Sequence, residues 1–179
     1  MPSPATRATP QPVTELDTPY SSDGAEPVMW SEASSELERA EVYWLSTVRP
    51  DERPHVTPIA AVWMDDAVYF STGPEERKAR NLVNNPRVVV TTGCNAFRRG
   101  LDVVVEGTAV AVRDESTLLQ LADLFATKYE GHFDFAARDG RFVHDGGAAD
   151  VYRVVPEKAF AYGRGETFTA TRYRFGGTD

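Results

Sequence analysis

Apolar positions along this chain fall mostly into short runs of β-branched and aromatic residues. Such runs over Val42–Val48, Val56–Met64, Ala67–Ser71, Arg87–Thr92, Leu101–Val112, Asp150–Tyr162 and Ala170–Phe175 predict strands. Asp65-Asp66, between the second and third runs, reads as a tight hairpin turn. The stretch Arg49-Pro50-Asp51-Glu52-Arg53-Pro54 is a longer turn, because its prolines cannot donate to a central ladder. Three segments change to helical spacing. Ser31–Ala40 carries Ala33, Leu37 and Ala40 on one side. Glu75–Leu82 follows Gly73-Pro74, has acids in its first turn and stops at Asn84-Asn85-Pro86. Asp114–Tyr129 lines up Leu118, Leu121, Leu124, Phe125 and Tyr129. Between that helix and the last strands, Glu130–Ala148 reads as a loop. Many short strands of antiparallel type with a few short helices predict a mostly β (α+β) barrel, and the regular strand–helix alternation of a parallel dinucleotide fold is absent.

Composition sharpens this picture at the start of the chain. Residues 1–27 are Pro, Ser, Thr and Ala with scattered acids and no periodic apolar content, which predicts a flexible tail that cannot offset its ordering entropy by burial. Residues 28–179 are then a single domain, large enough for a real core. A net charge of -8 argues against nucleic acid or an anionic membrane as partner, so any bound anion needs a local basic cluster. No run of about 20 apolar residues and no leader-like h-region occurs, and the expectation is a soluble, cytoplasmic protein. The one cysteine, Cys94, excludes an internal disulfide and reads as a half-buried residue at a strand end.

The segment with most chemistry runs from Val68 to Leu82. A strand ending in Ser71 and Thr72, then a turn, then Arg77 and Lys78 at a helix start gathers hydroxyls, two cations and free backbone N–H groups, as a phosphate dianion requires. The plain alternative is a solvated helix face with i,i+4 pairing such as Glu76 to Arg80. Upstream, Thr57-Pro58 interrupts a strand ladder and leaves backbone groups free to meet a ring system.

The order WLSTVRPDERPHVTPIAAVWMDDAVYFSTGPEERKARNLVNNPRVVV, then DVVVEGTAVAV, then a Leu-rich helix resembles the pyridoxamine 5'-phosphate oxidase-like, FMN-binding split β-barrel family, in its flavin or deazaflavin oxidoreductase branch. The resemblance spans Glu36 to Tyr162. It implies that Thr57, Pro58 and Ile59 lie along the cofactor ring, that Ser71 and Thr72 meet the ribityl and phosphate, and that Arg77 with Lys78 neutralises the phosphate. It further implies FMN or a deazaflavin (coenzyme F-420) as cofactor, hydride transfer to or from a small organic substrate, and a site completed by the second chain of a homodimer. The ending Thr171-Arg172-Tyr173-Arg174-Phe175 departs from the Arg-x-His segment of the vitamin B6 oxidases, which argues against pyridoxamine phosphate as substrate.

Other candidates have plainer readings. His55 beside Pro54 reads as a turn residue sooner than a carbonyl-polarising group. His132 and His144 lie near Asp134, Asp139 and Asp145 but without metal-ligand spacing. No nucleophile-elbow pattern surrounds Ser46 or Ser71, which disfavours a hydrolase. Trp44, Trp63, Tyr69 and Phe70 read as core, although Trp63 and Tyr129 could line a ring. With no dedicated acid or base in sight, the reading from a different class is a non-catalytic flavin or haem binding or storage module. The Val runs 88–90 and 103–105 are apolar on both strand faces, and the Leu-rich helix can cover only part of the outer one, which predicts a second copy of the chain on the rest.

Overall fold

A computed structural model describes residues 11–176. Antiparallel strands run in the order β1(Val13–Leu16), β11(Thr169–Arg174), β10(Gly147–Arg164), β7(Gly100–Val112), β6(Arg87–Thr92), β2(Tyr43–Val48) and β3(Pro54–Ile59). After β3 the chain crosses Ala60-Ala61 and becomes β4(Val62–Met64), which leaves the β2 ladder and pairs with β5(Ala67–Thr72), itself hydrogen-bonded to β10. This exchange of ladders closes the sheet into a split β-barrel. The Val56–Met64 run is therefore two strands, and the break lies after Ile59. Tyr129 occupies it: its Oη accepts the Ala61 N–H at 2.8 Å and lies 2.8 and 3.0 Å from the Ala61 and Glu41 carbonyls.

Period two decides what each strand buries. Tyr43, Leu45 and Thr47 point inward on β2, so Trp44 points outward and is 50% exposed, contrary to its assignment to the core. Inside the barrel, Leu45, Phe70, Val90, Val103, Val105 and Tyr173 pack under helix α1(Trp30–Arg39), whose Trp30 meets Trp63 edge-on. A second core gathers Val62, Tyr69, Phe142 and Val151 beneath Leu118, Leu121 and Phe125 of α3(Glu115–Lys128). β5 feeds both cores, Val68 and Phe70 one and Ala67 and Tyr69 the other, which explains its unbroken apolar run. Asp114 caps α3 by accepting the Thr117 N–H at 2.8 Å. Because α3 lies on β4, β8 and β9, it covers none of the outer Val face.

Three expectations are corrected. Within the expected flexible tail, residues 11–27 carry strand β1 and a short 3-10 turn, Thr18–Tyr20; residues 1–10 lie outside the described residues. Polar contacts, to which apolar periodicity is blind, fix this segment: Glu15 pairs with Arg174, Asp17 with Arg172, and the Ser21 and Ser22 hydroxyls accept backbone N–H groups of Ala170 and Phe168. The expected loop 130–148 contains a hairpin, β8(Ala136–Arg138) and β9(Arg141–His144), turned by Asp139-Gly140 with φ of 53° and 70°. Strands this short give no periodicity, but Asp-Gly at two positive φ angles is a type I′ turn signal. Cys94 is exposed in the loop after β6 instead of half-buried. Among the described residues, no helix is long and apolar enough to cross a membrane.

The long strand β10 pairs with β7 from Val151 to Arg164, with a register shift between Pro156 and Lys158. There β7 presents Gly107, where a Cβ would stand far inside van der Waals contact with the Val155 carbonyl oxygen. Gly107→Ala forces two backbones apart and is expected to destabilise the fold by about 3 kcal/mol. Thermal unfolding should show the melting point falling by roughly 6–12 °C, with Gly165→Ala as a control near the wild-type value; equal melting points for the two variants contradict this packing.

Candidate functional site

Helix α2(Arg77–Asn84) packs against β2, whose end turns into β3. Thr47 and His55 are cross-strand partners, with Thr47 Oγ1 3.4 Å from His55 Nδ1. Asn81 on α2 donates through Nδ2 to Thr47 Oγ1 at 2.9 Å, a buried bond that locks helix to strand. Three cations surround this corner. The His55 imidazole is held below its ordinary pKa by burial, then by the charges of Arg49, Arg77 and Lys78.

Those cations differ in how free they are. Lys78 is paired with Glu76, whose other carboxylate oxygen accepts the Gly73 N–H at 2.8 Å. Burial pushes the Glu76 carboxyl up, but the bonds from Lys78 and Gly73 outweigh it and hold the group below the usual range. Arg77 is exposed, and neither it nor Arg49 has a carboxylate partner among the described residues. Arg49 Nε and Asn81 Oδ1 are buried there without a hydrogen-bond partner. A cationic corner with an unsatisfied guanidinium N–H fits an anionic group such as a phosphate.

The seven predicted residues distribute unevenly about this corner. Arg77 and Lys78 are in it. Thr57 and Ile59 share the inward face of β3 with His55, whereas Pro58 alternates to the exposed outer face, opposite Trp44. β3 pairs only with β2 among the described strands, so its second edge is open. Ser71 and Thr72 end β5 and line a cleft of about 970 Å³ that also includes Gly73 and Glu76. The first turn of α2 holds no acid, because the helix starts after Glu76; Glu75, not Glu76, pairs with Arg80, at 3.0 Å. His55 is a strand residue facing the cations and not a turn residue. The sequence reading passed over Arg49, Thr47 and Asn81; counting back two residues at a time across the β2–β3 turn would have set Thr47 beside His55.

His132 and His144 line the same cleft as Ser71, and no group of three potential metal ligands occurs among the described residues. Tyr129 belongs to the Ala60-Ala61 break, and Trp63 packs against the core.

Comparison with solved structures returns the same fold. A haem-binding protein from Mycobacterium smegmatis superposes with a TM-score of 0.62 at 14% identity, covering 82% of this chain and 58% of that one. An FAD-binding protein from the same organism gives 0.54 at 22% identity, covering 83% and 98%. An F420 reductase gives 0.52 at 24% identity, covering 70% and 94%. No curated protein matches this chain. The sequence profile described as Pyridoxamine 5'-phosphate oxidase matches residues 29–163. That stretch runs from the start of α1 to the end of β10 and holds every element of the cationic corner, and the chain belongs to the pyridoxamine 5'-phosphate oxidase family.

Proposed function

We propose that this chain is a flavin- or deazaflavin-dependent oxidoreductase acting on a small organic substrate, with the cofactor phosphate held where β2, β3 and α2 meet. The observation that carries this reading is the convergence of Arg49, Arg77 and Lys78 on His55 in a chain of net charge -8. Membership of the family and structural neighbours that bind FAD or are named an F420 reductase support it. Arg77 and Arg49 supply the charge that is free, while Glu76 holds Lys78 in place at the helix start. The inward face of β3, with Thr57 and Ile59, is the wall next to the phosphate corner along which a ring can lie. When bound, such a cofactor supplies the hydride chemistry itself; the protein positions it and keeps water from it.

The partner in this reading is a second copy of the chain. A row of outward side chains crosses the sheet from Val56 and Pro58 through Trp44, Thr91 and Val104 to Phe160 and Tyr162, apolar but for Thr91, and Trp44, Val56 and Tyr162 are 50%, 54% and 42% exposed. An apolar stripe of that extent on one face suits an isologous two-fold interface. It borders β3, so the second chain would close the open edge of the site.

Three outcomes test these readings. In flavin titrations, Arg77→Ala or Arg49→Ala should weaken FMN binding by roughly 10- to 150-fold, as expected for a lost charge-assisted contact, whereas Arg98→Ala and Arg99→Ala in the loop after β6 stay near wild type; equal affinities remove the phosphate assignment. His55, followed by NMR, should titrate below the usual value of about 6.5 in the free protein and move upward when inorganic phosphate is added. Its lowered pKa means that the unfolded chain takes a proton first, so His55 costs stability as pH falls from about 6.5 through the folded value and costs nothing above 6.5; an unshifted midpoint contradicts the cationic corner. Light scattering should give twice the chain mass, and Val104→Asp should weaken the dimer at least about tenfold by placing a charge in its centre. A stable monomer that binds flavin stoichiometrically contradicts the dimer.

A further inference from the structure

The cleft of about 970 Å³ that starts at Ser71, Thr72 and Gly73 is a different place from the cationic corner. Apart from Glu76, its other lining residues fall between His132 and Ala149, and neither β3 nor Arg49, Arg77 or Lys78 contributes to it. Glu76 touches both places, and its charge is already matched by Lys78. The proposed function leaves this space without an occupant.

One wall of the cleft is aromatic. Phe142, Phe135 and Phe133 stack in turn, at centroid distances of 4.5 Å and 5.6 Å and interplanar angles of 13° and 24°. Phe142 is fully buried, whereas Phe133 and Phe135 are half-buried and present ring surface to the cleft, on which a further flat ring can pack. The polar groups beside this wall are mostly acceptors. His132 Nδ1 lies 3.0 Å from the Tyr129 carbonyl oxygen and must donate to it, so Nε2 of the neutral His132 ring is a bare acceptor. Asp134 and Asp145 are exposed, line the cleft and have no ion-pair partner among the described residues. Against these stands one fixed ring donor, His144 Nε2–H, because the Gly146 N–H donates to His144 Nδ1 at 3.0 Å. No lysine or arginine lines the cleft, and Arg141 of the hairpin is tied to Asp150 at 3.0 Å.

From the aromatic wall and the acceptors beside it we infer that the cleft is a second binding site, for a flat aromatic cation bearing N–H donors, of the amidine or protonated amino-heterocycle kind. Its ring packs on Phe133 and Phe135, and its positive charge is attracted to the negative faces of those rings. Its N–H groups donate to the Asp134 and Asp145 carboxylates and to His132 Nε2, and the bonds to the carboxylates are charge-assisted. A neutral ligand of the same shape keeps the stack and loses the charge assistance. An anion of that shape meets two unpaired carboxylates with no cation to receive it. An aliphatic ammonium takes the carboxylates but leaves the aromatic wall wet. The net charge of -8 adds a long-range attraction of the same sign. The inference uses neither the wall of β3 nor the free arginines, and so stands independently of the flavin reading.

The test is a calorimetric titration of the full-length protein, at neutral pH and low salt, with three probes of one shape: naphthamidine, which is cationic, the neutral naphthamide and the anionic naphthoate. Naphthamidine is expected to bind at least about fivefold more tightly than naphthamide, as two exposed charge pairs allow, with naphthoate weakest. Phe133→Leu, which keeps the second core apolar, should weaken naphthamidine by roughly 2- to 12-fold through loss of the ring face. Asp134→Asn combined with Asp145→Asn, two exposed changes that leave the melting temperature near wild type, should bring naphthamidine and naphthamide within about twofold of each other. Equal affinities for the three probes, tightest binding of naphthoate or no binding of naphthamidine overturns the inference. A preference for the cation that survives the double Asp→Asn variant overturns it too, because the site then lies elsewhere.

Discussion

An 18-residue strand can serve several neighbours only by changing partners along its length, and β10 does so on either side of the Pro156–Lys158 register shift. Its first half is bonded to β9 and β5, its second half to β11, and most of its length to β7. The close approach of Gly107 to Val155 lets β7 and β10 stay paired through the bend. Everything at the site is positioned from this spine. Thr72 is the cross-strand partner of Asp150, a buried carboxylate held by Arg113 at 2.6 Å and by Arg141 at 3.0 Å. The end of β5, and with it the chain's departure toward Gly73 and α2, is thereby fixed to β10 on one side while Asn81 fixes α2 to β2 on the other.

Electrostatics around that departure point divide sharply. On the side of β2 and β3 the groups are Arg49, His55, Arg77 and Lys78; on the side of the β8–β9 hairpin the acids that line the cleft are Asp134 and Asp145, while Arg138 and Arg141 of the hairpin do not line it. Glu76 stands at the boundary and neutralises Lys78 without reaching Arg77 among the described contacts. A protein of net charge -8 repels anions at long range, so the proposed phosphate would be held only at short range by groups whose solvation is already partly lost, and Arg49 with its buried unpaired Nε is such a group.

Much of this was legible in the sequence because the relevant signals are local. Period-two runs placed β2, β5, β6 and β7 to within a residue or so, Asp65-Asp66 marked a turn whose φ angles are 48° and 53°, and Arg77-Lys78 marked two of the three cations that lie around His55. What the sequence concealed is held together by contacts distant along the chain. Arg49 reaches the corner only through the β2–β3 register, and Tyr129 meets Ala61 across 68 positions. β1 is fixed by ion pairs to β11 near the opposite end of the chain, and its composition looks like that of a tail. Trp44 shows the limit of residue type as a guide: an aromatic on a strand was assigned to the core, but alternation turns it outward.

The central claim is that the β2–β3–α2 corner recognises a phosphate and not merely a flavin ring. Thermal unfolding in the presence of FMN or riboflavin, which share the ring and differ in the phosphate, separates the two directly, since a ligand that binds only the folded state raises its stability by mass action. The structure predicts a clear rise in melting temperature with FMN at concentrations where riboflavin produces little or none. Equal shifts with the two ligands would contradict it.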